Sequence, residues 1–518
     1  MSWIESHLLT LVTFLPVVGA VLVALLPRGE GGQHKGVAFL VSLLTFFASI
    51  PLWTGFRYVA GKYAFEQRSE WAPALGFSYH VGLDGVALLL FMLTTFLGPI
   101  VVLSSWKYIQ ERVKVYCIAL LLLETAMLGT LAALDLVLFY VFWEAMLIPM
   151  YLLIGMWGSE RRIYAAVKFF LFTFIGSVLM LLAIFWLWSN SGAPGHRSFD
   201  YADLLNAGGM TREVQKWLFL AFALAFAIKV PIWPLHTWLP DAHTEAPAAG
   251  SIILAGVMLK MGTFGFIRYA MPLFPQAALE WAPVIATLGV VGIVYGSFMC
   301  MAQTDMKRLI AYSSVAHLGF VMLGLSALTA EAVSGAVLQM VNHGISTGAL
   351  FLMIGLLYER THTRELSAYG GLARVAPAIA ATFLVITLSS IGLPGTNGFV
   401  GEFLVLAGTF TSKILHGAIP LAVVGATGVI LGAVYMLWMY QRVFFGPVRK
   451  AAEHGVPDLT VREWFTVAPL LVAIVVIGFA PQPLLNAMKE PVEAFVQRVS
   501  RPEPGKLLPP VRKAETER

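Results

Sequence analysis

Of the 518 residues, 58% are hydrophobic and 12% charged, about half the charged share (roughly 25%) of an ordinary soluble domain. With a mean hydropathy of +0.79, too few polar residues remain to surface a soluble globule of this length. The net charge of +5 and pI near 9.0 do not signal a nucleic-acid partner. The Lys and Arg residues lie in short segments between apolar runs and at the C-terminal end, not in one patch with interleaved aromatics.

The chain opens Met1-Ser2-Trp3-Ile4-Glu5, without the basic stretch and small-residue cleavage site of a secretory signal, so the first apolar run is expected to stay as a helix. A hydrocarbon core of about 30 Å calls for about 20 apolar residues per helix. By that ruler the sequence predicts an all-α polytopic membrane protein with fourteen spans. They cover 4–26, 37–56, 82–104, 115–134, 135–157, 164–188, 217–241, 249–270, 279–301, 308–328, 332–357, 377–411, 419–445 and 465–486. The runs are too long and continuous for the alternating ten-residue strands of an outer-membrane barrel.

Basic residues favour one set of loops, with Arg28 and Lys35, Lys107, Arg112 and Lys114, then Arg161 and Arg162. Further along the same set has Lys307 and Arg308, Arg360, Arg364 and Arg374, then Arg442, Arg449, Lys450 and Arg462. The opposite loops carry Arg57, Lys62, Arg68, Arg197, Arg212, Lys216 and Lys413. The positive-inside rule then predicts both termini outside, against the pull of the basic C-terminal tail. The location expected is the inner (plasma) membrane of a cell, ahead of the mitochondrial inner membrane.

Several predicted spans hold residues that lipid does not tolerate. Glu124, Glu144, Lys229, Lys260 and Glu402 fall well inside them. At about 2.5–3.5 kcal/mol each, they would together cost on the order of 12–18 kcal/mol against lipid, as much as a whole domain's stability. They must therefore face the bundle interior. His317 and His343 lie within spans as well, among small residues. Buried polar residues that merely link helices would account for any one of these. Both signs of charge, spread along the chain, fit a proton relay better. Lys168 and Arg268 lie near span ends, where long side chains snorkel to the interface, and are set aside.

Two spans are broken. In the seventh, Lys229 is followed by Val230-Pro231-Ile232-Trp233-Pro234, and Pro231 and Pro234 each remove a backbone donor. In the twelfth, Gly392-Leu393-Pro394-Gly395-Thr396-Asn397-Gly398 interrupts the helix ahead of Glu402, and residues 392–398 are expected to be non-helical. Such backbone survives at membrane depth only against protein or water. Interruptions five spans apart predict two inverted five-helix repeats, spans 4–8 and 9–13. The domains expected are 1–114 (three helices), 115–270 and 279–445 (the repeats), and 446–518 (a last helix and the basic tail).

Cys117 and Cys300 stand alone as packing residues, with no metal ligand set. No Walker A loop, strand-borne GxGxxG or nucleophile elbow is present. Any redox cofactor must therefore sit on other chains.

The run Ala227-Ile228-Lys229-Val230-Pro231 into Trp233-Pro234-Leu235-His236-Thr237-Trp238-Leu239-Pro240-Asp241-Ala242-His243 resembles the proton-conducting membrane transporter family. That family holds the antiporter-like subunits of complex I and the large subunits of Mrp sodium/proton antiporters. Thr304-Asp305-Met306-Lys307-Arg308-Leu309-Ile310-Ala311-Tyr312-Ser313-Ser314 matches its second signature, and the resemblance covers roughly residues 80–445. Most members carry lysine in the twelfth span. Glu402, in Gly398-Phe399-Val400-Gly401-Glu402-Phe403, matches the branch of complex I subunits that carries glutamate there. The short segment after the last span also lacks the long lateral helix of a sister branch.

The resemblance implies roles by position. Glu144 matches the fifth-span glutamate, Lys229 and Lys260 the seventh- and eighth-span lysines, and His317 and His343 the histidines of a central hydrophilic axis. Glu402 would be the terminal carrier, with Glu124 a further candidate. It also implies proton pumping in NADH:quinone oxidoreductase, alongside related antiporter-like subunits, with FMN, iron–sulfur clusters and quinone on partner chains. An Mrp-type sodium/proton antiporter subunit, a membrane-bound hydrogenase subunit and a structural anchor stay open as alternatives.

Overall fold

The structure, a computed structural model, describes residues 3–27, 31–193, 197–206, 210–449, 451 and 455–501. The charges of Arg28 and Lys450 and the tail from 502 onward lie outside the described residues. In chain order come α1 (Trp3–Leu25), α2 (Gly31–Thr54), a hairpin of β1 (Ala64–Ala72) and β2 (Phe77–Leu83), α3 (Gly85–Ser104) and α4 (Val113–Ala132). Then follow α5 (Leu136–Ala145), α6 (Leu147–Trp157), α7 (Arg162–Asn190), α8 (Tyr201–Asn206), α9 (Arg212–Lys229) and α10 (Trp238–Glu245). One crossing contains α11 (Ala248–Ile253), α12 (Leu259–Gly265) and α13 (Met271–Leu273), joined by π-helical turns at Leu254–Met258 and Phe266–Ala270. The second half holds α14 (Pro275–Met301), α15 (Met306–Ala327), α16 (Ala330–Thr361) and the one-turn α17 (Leu372–Val375). It ends with α18 (Pro377–Ser390), α19 (Asn397–Phe410), α20 (Ala418–Phe444), α21 (Val461–Phe479) and α22 (Gln482–Ser500).

Among the described residues, twelve helices are long and apolar enough to cross a membrane. The seventh and twelfth predicted spans are each built as two shorter helices, α9 with α10 and α18 with α19. Aspartates mark three starts. The Asp84, Asp135 and Asp305 side chains accept backbone N–H groups in the first turns of α3, α5 and α15, satisfying donors that a helix N-terminus leaves free. The fully buried crossings are the α11–α13 segment and α15, whereas α1, α2, α20 and α21 present broad apolar faces outward. A helix apolar all round belongs in a bundle core.

Loops gather at two ends. At one, β2 meets the α4–α5 turn, with Leu134 N–H donating to the His80 carbonyl, and Phe199 N–H donates to Gly76 ahead of α8. At the other, Ser159 N–H donates to the Glu245 carbonyl and Met306 N–H to that of Arg364.

Three expectations change. The hairpin was not foreseen, because β1 (AFEQRSEWA) is polar and mostly exposed and lacks the alternation that marks a half-buried strand. The last crossing ends at Phe479, short of the predicted 486. Residues 482–500, from the end of that span into the basic tail, form α22, whose Met488, Val492, Phe495 and Val499 are buried on one face. Arg268 does not snorkel. It is buried at 5% exposure, its guanidinium 2.8 Å from the Asp84 carboxylate and over the rings of Tyr63 and Phe264. The free cysteines Cys117 and Cys300 are buried.

Candidate functional site

The second interruption spans Ile391–Thr396, and helix resumes at Asn397, so Asn397 and Gly398 are helical, contrary to expectation. Gly392 and Gly395 hold φ of +73° and +90°, values that cost a Cβ-bearing residue strain. The Asn397 side chain accepts hydrogen bonds from Ser389 at 2.5 Å and Ser346 at 3.3 Å, and Asn342 donates to its carbonyl at 2.6 Å. Polar side chains thus replace the ladder that Pro394 and the glycines end. In the first interruption, Pro231 ends α9, the Trp233–Pro234 bond is cis, and the Trp238 indole donates to the Ile228 carbonyl at 2.8 Å.

Four predicted residues from four helices form one row. Lys260, fully buried on α12, donates to the Ala255 carbonyl and lies 2.6 Å from His343 Nδ1 on α16. The His343 and His317 rings are 5.7 Å apart between centroids. On α15, His317 Nδ1 lies 2.9 Å from Glu402 Oε1. The same oxygen, on α19, accepts the Gln339 amide at 3.0 Å, and His317 Nε2 lies 3.4 Å from Ser390 Oγ at the end of α18. All four are buried, Glu402 at 4% and Lys260 at 0% exposure. The π turn ahead of α12 matters here. It contains Ala255, whose carbonyl anchors the lysine, and such turns recur at functional sites.

The other pair is looser. No ion pair joins Glu144 to Lys229 among the described residues. Lys229, the last residue of α9, has its Nζ without a hydrogen-bond partner and 4.7 Å over the Trp143 ring. Glu144 is half-buried, with Oε1 unpartnered and Tyr140 and Ser177 close to its carboxyl. A cation–π contact compensates a buried ammonium less than a carboxylate does. Glu124 lies apart on α4, held by Ser42 Oγ at 3.0 Å. Lys168 pairs with Asp241 at 2.7 Å.

Sequence reasoning overlooked Gln339, Asn342, Ser346, Ser389, Ser390 and Asn397, the neutral groups around the row. Gln339 and His343 sit one turn apart on α16 in the run Gln339-Met340-Val341-Asn342-His343, and a buried amide costs enough in lipid to have flagged it. His243, buried and stacked on Phe351 at 4.5 Å, was noticed only as part of a motif.

Fold and row together define a class: a many-spanning helical membrane protein with ionisable side chains aligned through a buried interior. The family described as NADH:quinone oxidoreductase/Mrp antiporter, TM, matches residues 133–432. NADH-quinone oxidoreductase subunit M of Rhodobacter capsulatus is 46% identical over 503 residues, covering 95% of this chain and 97% of its own. NADH-ubiquinone oxidoreductase chain 4 of Arabidopsis thaliana is 41% identical over 93% of this chain and 95% of its own. A chain of the respiratory complex I from Thermus thermophilus with bound NADH superposes at a TM-score of 0.86, with 34% identity, over 95% of this chain and all of that one. The chain belongs to the NADH:quinone oxidoreductase/Mrp antiporter transmembrane family. The relatives it matches bear the names subunit M and chain 4.

Proposed function

We propose that this chain is the proton-translocating membrane-arm subunit of an NADH:quinone oxidoreductase, and that the row from Lys260 to Glu402 carries the protons. The observation that supports this reading most is the chain of contacts Lys260–His343–His317–Glu402, buried and leading to the second helix break. Each histidine accepts a proton on one ring nitrogen and releases one from the other. Lys260 passes a proton to His343 Nδ1, and His317 Nδ1 hands one to Glu402. A hydrogen-bonded water spans the step between the two rings. Glu402 is the terminal carrier.

Glu144 and Lys229 act as the input pair. At an effective dielectric of 20, a Glu–Lys attraction is worth about 4 kcal/mol at 4 Å and about 2.4 kcal/mol at 7 Å. Modest motion at the α9–α10 break therefore loads or unloads Lys229. The two breaks support inverted repeats over spans 4–8 and 9–13, within units 115–270 and 279–445, flanked by 1–114 and 446–518. FMN, iron–sulfur clusters and quinone belong to partner subunits, and related antiporter-like subunits are the neighbours in the membrane. The membrane is the plasma membrane, with both termini outside. Proton pumping per electron pair in membrane vesicles carrying Glu402→Gln or His317→Ala tests the reading. Each should lose most of its pumping, and unaltered pumping in assembled complexes would sink it.

A further inference from the structure

Glu124 is absorbed by none of this. It is 3% exposed, on α4. Ser42 Oγ donates to Oε2, while Oε1 has no partner among the described residues. That free oxygen borders a small cavity between α2, α3, α4 and the first π turn, lined by Ser42, Thr94, Gly98, Met127, Ile253 and Val257. Among the described residues Glu124 is the only titratable group lining it. A Cβ on Gly98 would lie 2.6 Å from Oε1, so the missing side chain at 98 is what makes room for the carboxyl. The single hydroxyl donor does not balance a buried anion, whose uncompensated burial costs several kcal/mol. With no basic side chain lining the pocket among the described residues, the counter-charge is a proton.

The cavity also shares a wall with the row. Ile253 precedes the π turn and Val257 lies within it, Gly256 packs against Leu97, and Ala255 offers the carbonyl that holds Lys260. We infer that Glu124 is a second proton-holding site, off the row, which takes a proton from hydronium in its pocket and is coupled through the Leu254–Met258 turn to the anchoring of Lys260. The proton adds to Oε1 and leaves water behind. The coupling, though not the site, rests on the relay role proposed for Lys260.

The test treats the intact complex in its membrane with dicyclohexylcarbodiimide, an apolar reagent that captures protonated carboxyls in apolar surroundings, and maps the adduct by mass spectrometry. Glu124 is expected to be modified in the unaltered complex. Gly98→Ala, whose methyl displaces the carboxyl, should cut that modification at least fivefold. An unmodified Glu124, or equal modification in Gly98→Ala, overturns the site. Glu124→Gln should lower pumping per electron pair at least twofold, and unchanged pumping overturns the coupling. If Glu402→Gln pumps normally while Glu124 is still labelled, the relay reading fails and the site stands.

Discussion

At the scale of single residues, the decisive contrast is between Glu402, held by His317 and Gln339, and Glu144, held by no cation among the described residues. Glu402→Asp keeps the charge and shortens reach by one methylene, so it should retain part of the pumping. Glu402→Lys places a third ammonium along the path of Lys229 and Lys260, and repulsion should lower their proton affinity and reduce pumping more severely. Proton pumping per electron pair in vesicles compares the two. Normal pumping in Glu402→Lys with loss in Glu402→Asp would remove Glu402 as terminal carrier. Lys229→Ala should abolish most pumping yet leave the complex assembled, because its ammonium has no ion-pair partner among the described residues to orphan. His317→Ala takes a hydrogen-bond partner from the buried Glu402, a loss of about 1–3 kcal/mol for a buried polar group, so it is the harsher change for stability.

Among the elements, the hairpin and the second break make separate claims. In β2, His80 Nδ1 lies 2.5 Å from Asp200 and Nε2 lies 3.0 Å from Glu66, and Arg68 is 3.4 Å from the same Asp200. Burial disfavours the imidazolium, but the bonds to Asp200 and Glu66 outweigh it and raise its pKa to about 9. A group whose folded pKa lies above its ordinary 6.5 stabilises fully below the unfolded value and loses that contribution as pH rises through the folded one. Hydrogen exchange in Ser78–Val81, corrected for intrinsic rate, should thus be slow at pH 6 and accelerate above about pH 9. His80→Gln should flatten that dependence, and a flat profile in the unaltered protein would refute the clamp. At the break, a Cβ on Gly398 would lie 2.1 Å from the Ser389 carbonyl oxygen. Gly398→Ala should destabilise by about 1–3 kcal/mol, the usual cost of overpacking, seen as a lower Tm of the solubilised complex.

For the whole molecule, the alternation of loops between two ends makes sidedness a measurable property. Membrane-impermeant thiol reagents should label Lys413→Cys from outside and Arg374→Cys from inside, in a background lacking Cys117 and Cys300. The reverse pattern would invert the termini.

Much of this was legible in the sequence because lipid is an unforgiving solvent. A 20-residue apolar run has few fates, and a Lys229 or Glu402 within one must turn inward. The two proline and glycine clusters announced the broken crossings for the same reason, since unsatisfied backbone is costly away from water. Sequence did not show which inward charges meet. Lys260 reaches His343 across 83 positions and His317 reaches Glu402 across 85, contacts set by how α12, α15, α16 and α19 pack. Packing also left Lys229 over Trp143 instead of against Glu144, sank Arg268 onto Asp84 and placed Glu124 in a pocket opened by Gly98. Burial was fixed by composition, because every ionisable group in a span avoids hydrocarbon. Pairing was decided by tertiary structure, because a few ångströms separate an ion pair from a lone charge.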